Sequence, residues 1–175
     1  MGVERGAWSV TDITAPDTPQ PELEAHAHAR LSRFTLHATM PIAELRVFEW
    51  RGTGRTEQVI PRPPLKAVIA AVRALDGAAH NDIYLYPKAG SLHCYLCVGG
   101  GAGKYLLTGV LPGDRFPTLV DPARPEVPKE ALRVGGQEGL YPRNWIHPLA
   151  IALKAAEAFW STGEFGGAGL TWCDP

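Results

Sequence analysis

Residues 92–111 read LHCYLCVGGGAGKYLLTGVL, and this stretch decides the fold. Two runs rich in apolar and aromatic residues, 92–98 and 104–111, flank a segment of five residues that contains four glycines. Short runs of this composition bounded by glycine are typical of β-strands. Glycine supplies the positive φ angles that tight hairpin turns require. The stretch therefore predicts two antiparallel strands joined by a glycine turn at 99–103.

Further strands are predicted on both sides of this hairpin. Their connections are shorter than the dozen or so residues that a parallel crossover needs, which indicates an antiparallel meander. Upstream, alternating apolar and polar residues at 42–50 predict a half-buried strand. The additional candidate strands are 42–50, 82–86, 116–120, 131–134 and 170–172, with a turn predicted at 51–54.

Two helices complete the predicted fold. The first follows the prolines of 61–64 and covers 65–75, where apolar residues recur at helical spacing before Asp76-Gly77 ends it. The second runs from about 148 to 160 and also has one apolar face. The resulting order is strands, helix, strands, helix, strand. It predicts an α+β fold, mainly an antiparallel sheet meander packed against two helices.

The N-terminus differs from the rest of the chain. Residues 1–30 are rich in Pro, Asp, Thr, Glu and Ala and lack helical or strand periodicity, so they are predicted to form a mobile tail. Trp8 stands out there, because an exposed tryptophan in a tail is unusual. A short strand is predicted at 34–38. We therefore expect a flexible tail over 1–30 and a single α+β domain over 31–175.

Composition narrows the classes of function. The chain has 175 residues, with 17 basic and 18 acidic side chains and a net charge of -1, which argues against a dedicated nucleic-acid binder. It lacks an uninterrupted apolar run of membrane-spanning length. Three cysteines do not make a disulfide framework and favour a reducing compartment. We expect a cytoplasmic protein that binds neither nucleic acid nor membrane.

The motifs that most often carry chemistry are incomplete. The glycine segment before Lys104 resembles a phosphate loop, but Val98 stands where the motif begins and Tyr105 where Ser or Thr is needed. Cys94 and Cys97 have CxxC spacing but lack a second pair, and in a straight strand their side chains point to opposite faces. We therefore predict buried structural cysteines. His26 and His28 lie in the tail without acidic partners. No catalytic residue, metal site or cofactor is predicted.

The most distinctive loop is predicted at 135–143, after the strand at 131–134. Gly135-Gly136 ends the strand, and the following residues carry Gln137, Tyr141 and Arg143. A tight turn whose tyrosine packs on the core would explain this pattern. An exposed recognition loop would also explain it, since Tyr, Trp and Arg are enriched at the energetic centres of interfaces. The candidate partner-binding residues are Gln137, Tyr141, Arg143 and Trp145.

Three segments in order resemble the first immunity protein family of bacterial polymorphic toxin systems. They are CVGGG at 97–101 running on to Lys104-Tyr105, VGGQEGLYP at 134–142, and ALKAAEAFW at 152–160 running through Gly163 to LTW at 170–172. The resemblance covers about residues 80–174. It implies a small α+β domain that binds a cognate toxin domain, often of deaminase type, and blocks its active site.

Two other functions remain open from the residues themselves. A small-ligand binding module predicts a sizeable apolar cavity with a few converging polar groups. An uncharacterised enzyme predicts strongly perturbed titratable groups in a cleft. An immunity protein predicts neither feature, but an exposed patch near 135–145.

Overall fold

The computed structural model describes residues 41–174. This part of the chain contains two α-helices, a 3-10 turn and ten strands in two antiparallel sheets, which confirms the predicted α+β class. The strands are β1 (Glu44–Arg51), β2 (Gly54–Pro61), β3 (Asp82–Tyr86), β4 (Tyr95–Gly101), β5 (Lys104–Val110), β6 (Thr118–Val120), β7 (Glu130–Val134), β8 (Gln137–Tyr141), β9 (Ile146–His147) and β10 (Thr171–Cys173). The helices are α1 (Leu65–Ala74) and α2 (Leu149–Thr162), and the 3-10 turn is Arg143–Trp145.

The main sheet has the strand order β10-β6-β5-β4-β3-β1-β2, and β9 also pairs with β5. As predicted, the central glycine-rich stretch forms a hairpin, β4–β5, at the centre of this order, although β4 begins at Tyr95 rather than at 92. β7 and β8 form a separate two-stranded hairpin. Every described pairing between strands is antiparallel, as the short connections require.

Both helices cover one face of the main sheet. Their apolar stripes meet inward-facing strand residues in a single core, in which Val72 of α1 and Phe159 of α2 are fully buried beside Leu85 and Leu96. The indole of Trp160 donates a hydrogen bond of 2.8 Å to the carbonyl of Pro63, which ties the end of α2 to the start of α1. α2 ends at Gly163, whose φ of +70° suits glycine at this position. In the described part of the chain, no helix covers the opposite face of the sheet.

Several boundaries differ from the sequence predictions for identifiable reasons. Gly99–Gly101 belong to β4, and only Ala102 and Gly103 form the turn. The predicted loop at 135–143 is wrong, because Gln137–Tyr141 form β8 and only Gly135 and Gly136 make the turn. The sequence pattern does not predict strand β2. It lies at the sheet edge with its side chains exposed, so it lacks the apolar alternation that reveals a half-buried strand.

The predicted tail at 1–30, the strand at 34–38, Trp8, His26 and His28 lie outside the described residues. Within residues 41–174, none of the helices is both long enough and apolar enough to cross a bilayer.

Candidate functional site

The face of the sheet away from the helices, here called the open face, carries a cluster of tyrosines. Strict alternation along β3 and β4 sends Tyr84, Tyr86 and Tyr95 to this side, while Leu85 and Leu96 enter the core. The ring of Tyr95 lies 5.4 Å from the rings of both Tyr84 and Tyr86, centroid to centroid. Such offset and edge-to-face contacts stabilise one fixed arrangement of the rings.

The hairpin of β7 and β8 packs over the open face of β4. This approach requires Gly99, because a Cβ on that residue would lie 2.8 Å from Cγ2 of Val134 and closer still to Cγ1. Gly100 is required first by its own hairpin, because its φ is +99° and an added Cβ would collide with the carbonyl oxygen of Lys104, while Leu132 would lie 3.2 Å away. Gly99 is therefore explained by the approach of the second hairpin rather than by a turn.

The tip of the same hairpin is fixed by two contacts. The N–H of Gly136 donates a hydrogen bond of 2.9 Å to Oδ1 of Asn81, a side chain that is fully buried. The indole of Trp50 packs against Gly136 so closely that a Cβ there would lie 2.6 Å from Cδ2. The indole N–H of Trp50 in turn donates to Oδ1 of Asp82 at 2.6 Å. The hairpin is thus anchored to β1 and to the start of β3.

A cleft of about 470 Å³ lies between this hairpin and the sheet. Among residues 41–174, its lining combines hydroxyl, thiol and amide groups with apolar side chains and contains no formally charged residue. Phe116 stands at this cleft with 55% of its surface exposed. The lining residues are Tyr84, Tyr95, Cys97, Thr108, Gly109, Val110, Phe116, Thr118, Val134, Gly135 and Gln137.

Burial determines the protonation states beneath the cleft. It raises the pKa of the Cys97 thiol to about 12, against the opposing effect of the neighbouring hydroxyls of Tyr84 and Thr108. Burial also raises the pKa of the Tyr84 phenol. At neutral pH both groups are protonated, so Cys97 is a poor nucleophile. What they offer to a bound molecule is hydrogen bonding.

Asp82 is a buried carboxyl beside Tyr84. Burial raises its pKa, while the hydrogen bond from Trp50 opposes the rise. Its Oδ2 accepts no hydrogen bond within the described residues, although Tyr84 lies beside the carboxyl. A buried oxygen without a partner destabilises the ionised form.

The structure separates the four predicted partner-binding residues into two pairs. Gln137 and Tyr141 lie on the sheet-facing side of β8, in register with Val134 and Glu130 of β7. Gln137 lines the cleft and is exposed, whereas Tyr141 is half-buried and burial raises its pKa. The position of Tyr141 agrees with the packing interpretation of the motif as well as with recognition.

Arg143 and Trp145 lie in the 3-10 turn that follows β8. Nε of Arg143 is 3.4 Å from a carboxylate oxygen of Glu130, and the other oxygen of the same carboxylate is 2.8 Å from Nζ of Lys104. The hydrogen bond from Lys104, with the nearby Arg143, holds the pKa of Glu130 below its usual value. Trp145 is half-buried beside β6. These two residues therefore flank the hairpin base rather than the cleft.

The CxxC cysteines are not paired. Cys97 is buried and lines the cleft, while Cys94 is half-buried and lines a different cavity of about 630 Å³ beside Trp172. The prediction that the two side chains diverge is confirmed. The prediction of burial holds for Cys97 only. No group of three or more His, Cys, Asp or Glu within residues 41–174 is arranged to hold a metal ion.

The sequence predictions missed the residues of the open face. Tyr84, Tyr95, Phe116 and the anchor Trp50 were not selected, although 82–86 was correctly predicted as a strand. Alternation within that strand, Asp-Ile-Tyr-Leu-Tyr, was the available signal, since it places Tyr84 and Tyr86 together on one side. No family model, curated protein or solved structure matches this chain.

Proposed function

We propose that the protein neutralises a bacterial toxin domain of deaminase type by binding it and blocking its active site, in the cytoplasm. The observation that carries the proposal is the β7–β8 hairpin, an exposed element whose tip is fixed to the sheet by Asn81 and Trp50. A surface that is already ordered loses little conformational entropy on binding, which favours affinity.

The outward side of this hairpin has the composition of a docking surface. Leu140 exposes 69% of its surface there. Arg133 of β7 and Glu138 of β8, which lie opposite each other, are also exposed. Val127 is 68% exposed and follows Glu126, whose carbonyl accepts a hydrogen bond from the Arg143 N–H at the hairpin base. Exposed apolar side chains rimmed by charges are typical of protein interaction sites.

The chemistry beneath the hairpin also suits a binding role. Cys97 and Tyr84 are protonated at neutral pH because they are buried. Binding a toxin domain requires shape and hydrogen-bonding groups, not a nucleophile. Gln137 and Phe116, at the cleft, extend the proposed surface from the hairpin onto the sheet.

The experiment is co-expression with the C-terminal domain encoded by the neighbouring reading frame. We expect that domain alone to arrest growth, and this protein to restore growth and to co-elute with it. Leu140→Glu should weaken co-elution by about tenfold or more, since burying an unpaired charge at an interface is costly. The matched control is Leu92→Glu, because Leu92 is 72% exposed and lies between β3 and β4.

Two variants extend the test to the predicted residues. Tyr141→Ala and Arg143→Ala should each weaken the complex while the urea unfolding curve still shows a folded domain. If the neighbouring domain does not arrest growth, or if neither rescue nor co-elution occurs, the toxin-neutralising proposal is wrong.

A second candidate is a small-ligand binding module. The cleft of about 470 Å³ favours it, because an immunity protein does not require such a cavity. Its uncharged lining fits a neutral, hydrogen-bonding ligand of modest size. Thermal shift screening against a library of neutral aromatic compounds tests this candidate. A genuine ligand should lose its stabilising effect in Gln137→Ala or Thr108→Val and keep it in Leu140→Glu.

A further inference from the structure

The edge strand β2 is the least protected element of the main sheet. It is eight residues long, and in residues 41–174 no strand pairs with its outer side. Edge strands are usually protected by short length, charged side chains, bulges or internal prolines. The register of β2 with β1 is unbroken over all eight residues, and its single proline is the last residue, Pro61. Its two charged residues, Arg55 and Glu57, are of opposite sign and can pair with those of a second copy. β2 is therefore a regular template for another strand.

The hydrogen bonds of β1 fix which groups of β2 point outward. The N–H of Arg62 donates to the carbonyl of Ala43, next to β1. The N–H of Trp50 in β1 points away from β2 and donates to the carbonyl of Ala79, on the β3 side. Alternation then directs the N–H and C=O groups of 54, 56, 58 and 60 toward β1. The outward N–H and C=O groups belong to Arg55, Glu57 and Val59.

We propose that two copies of this chain pair antiparallel through β2, with Arg55 opposite Glu57 of the second copy and Thr56 on the two-fold axis. A symmetric antiparallel pairing can place only outward residues opposite outward residues, so the two-fold axis lies at one of five positions, 55–59. Axes at 55 and 57 put Arg55 or Glu57 opposite its own copy, and like charges directly opposite each other are destabilising. Axes at 58 and 59 put Glu57 opposite Val59 or Pro61. Only the axis at Thr56 forms two Arg–Glu pairs.

The charged side chains are already oriented for this arrangement. The guanidinium of Arg55 lies over the ring of Phe48, with its carbon 4.6 Å from the ring centroid, so its edge N–H groups remain free to donate. Oε1 of Glu57 forms an ion pair with Nη1 of Arg46 at 3.1 Å, which leaves Oε2 to interact with the second copy. Side chains fixed in this way lose little further freedom when the second copy binds.

Symmetry gives the pair a definite form. Opposite residues of antiparallel strands point to the same side of a sheet, so the helices of both copies lie on one side of a continuous sheet. Four backbone hydrogen bonds form at Arg55 and Glu57 of the two copies, because each opposite pair exchanges two. The β7–β8 hairpin is not part of this edge, so the inference does not depend on the proposed toxin binding.

Sedimentation velocity of the full chain over a range of micromolar concentrations tests the pairing. We expect a monomer–dimer equilibrium in the wild type. Glu57→Arg or Arg55→Glu alone should raise the dissociation constant by about tenfold or more, because each creates two like-charge pairs. The double variant Arg55→Glu with Glu57→Arg should restore the dimer. Arg73→Glu, an exposed charge reversal on α1, should leave it unchanged.

Cysteine cross-linking tests the register independently of charge. Thr56→Cys should form an intermolecular disulfide under mild oxidation, since opposite residues of a non-hydrogen-bonded pair are close enough for one. Gln58→Cys should not, and the wild type, with its three native cysteines, reports the background. A monomeric wild type at every concentration, failure of the double variant to restore the dimer, or cross-linking through 58 instead of 56 would each overturn the proposal.

Discussion

Substituting Gly136 by alanine perturbs the contact that fixes the tip of the β7–β8 hairpin. Gly136 has a φ of +76°, and an added Cβ would lie 2.6 Å from Cδ2 of Trp50 and closer to Cε3. Its neighbour Gly135 has a φ of +62° and would place a Cβ in open space, with nothing within 4 Å. Alanine at either position must therefore adopt a positive φ, but only alanine at 136 would collide with the Trp50 indole.

The expected losses of stability follow from these two terms. A left-handed alanine costs about 1–2 kcal/mol at either position. Overpacking adds about 1–3 kcal/mol at Gly136 only, because the Trp50 ring must move. That movement also strains the hydrogen bonds from Trp50 to Asp82 and from Gly136 to Asn81, each worth about 1 kcal/mol. Gly136→Ala should therefore be less stable than Gly135→Ala by about 2–4 kcal/mol.

Urea unfolding of both variants, followed by far-UV circular dichroism, measures this difference. Repeating Gly136→Ala in a Trp50→Ala background should recover most of the overpacking cost, because the collision partner is gone. Equal losses in Gly135→Ala and Gly136→Ala would refute the anchoring role of Trp50. So would an unchanged cost in the Trp50→Ala background.

Two further predictions concern the buried groups of the open face. Because burial raises the folded-state pKa of Asp82, the carboxyl's contribution to stability is present at acid pH and is lost as pH rises through that pKa. The free energy of unfolding of Asp82→Asn relative to wild type should therefore increase from acid to neutral pH, which urea titrations at both pH values check. Cys97, buried and with a pKa raised to about 12, should resist a thiol reagent until urea unfolds the chain. The half-buried Cys94, whose pKa burial also raises, and Cys173 should react faster than Cys97 in the native state.

The sequence predictions succeeded where one face of an element is buried. The strand at 82–86 was predicted with the observed bounds, because Ile83 and Leu85 are core residues between polar and aromatic neighbours. The first helix was predicted to within a residue, since its apolar stripe meets the sheet. β2 and β8 expose most of their side chains, so their strand conformation depends on pairing partners that local sequence does not reveal.

The candidate site was harder to predict than the fold. Gln137 was selected from local sequence and does line the cleft, but Tyr84, Cys97 and Phe116 come from three other segments. Their proximity depends on strand order, which a single sequence does not specify. Tyr141 is half-buried toward the sheet, because β8 continues the hairpin rather than forming a loop, and its role as a partner contact stays a prediction.

The two glycine-rich segments, 97–105 and 134–142, meet where Val134 packs against Gly99. Gly136 of the second segment packs against Trp50 of β1. These glycines are therefore accounted for by packing, whatever the protein binds. The glycines thus explain how the hairpin is held against the sheet. Under the proposed function, the partner contacts the exposed residues of the hairpin, such as Leu140. If Leu140→Glu loses binding but keeps the stability of the wild type, then contacting the partner is separate from holding the hairpin in place. Substituting the glycines cannot show this, because it disturbs both the position of the hairpin and its stability.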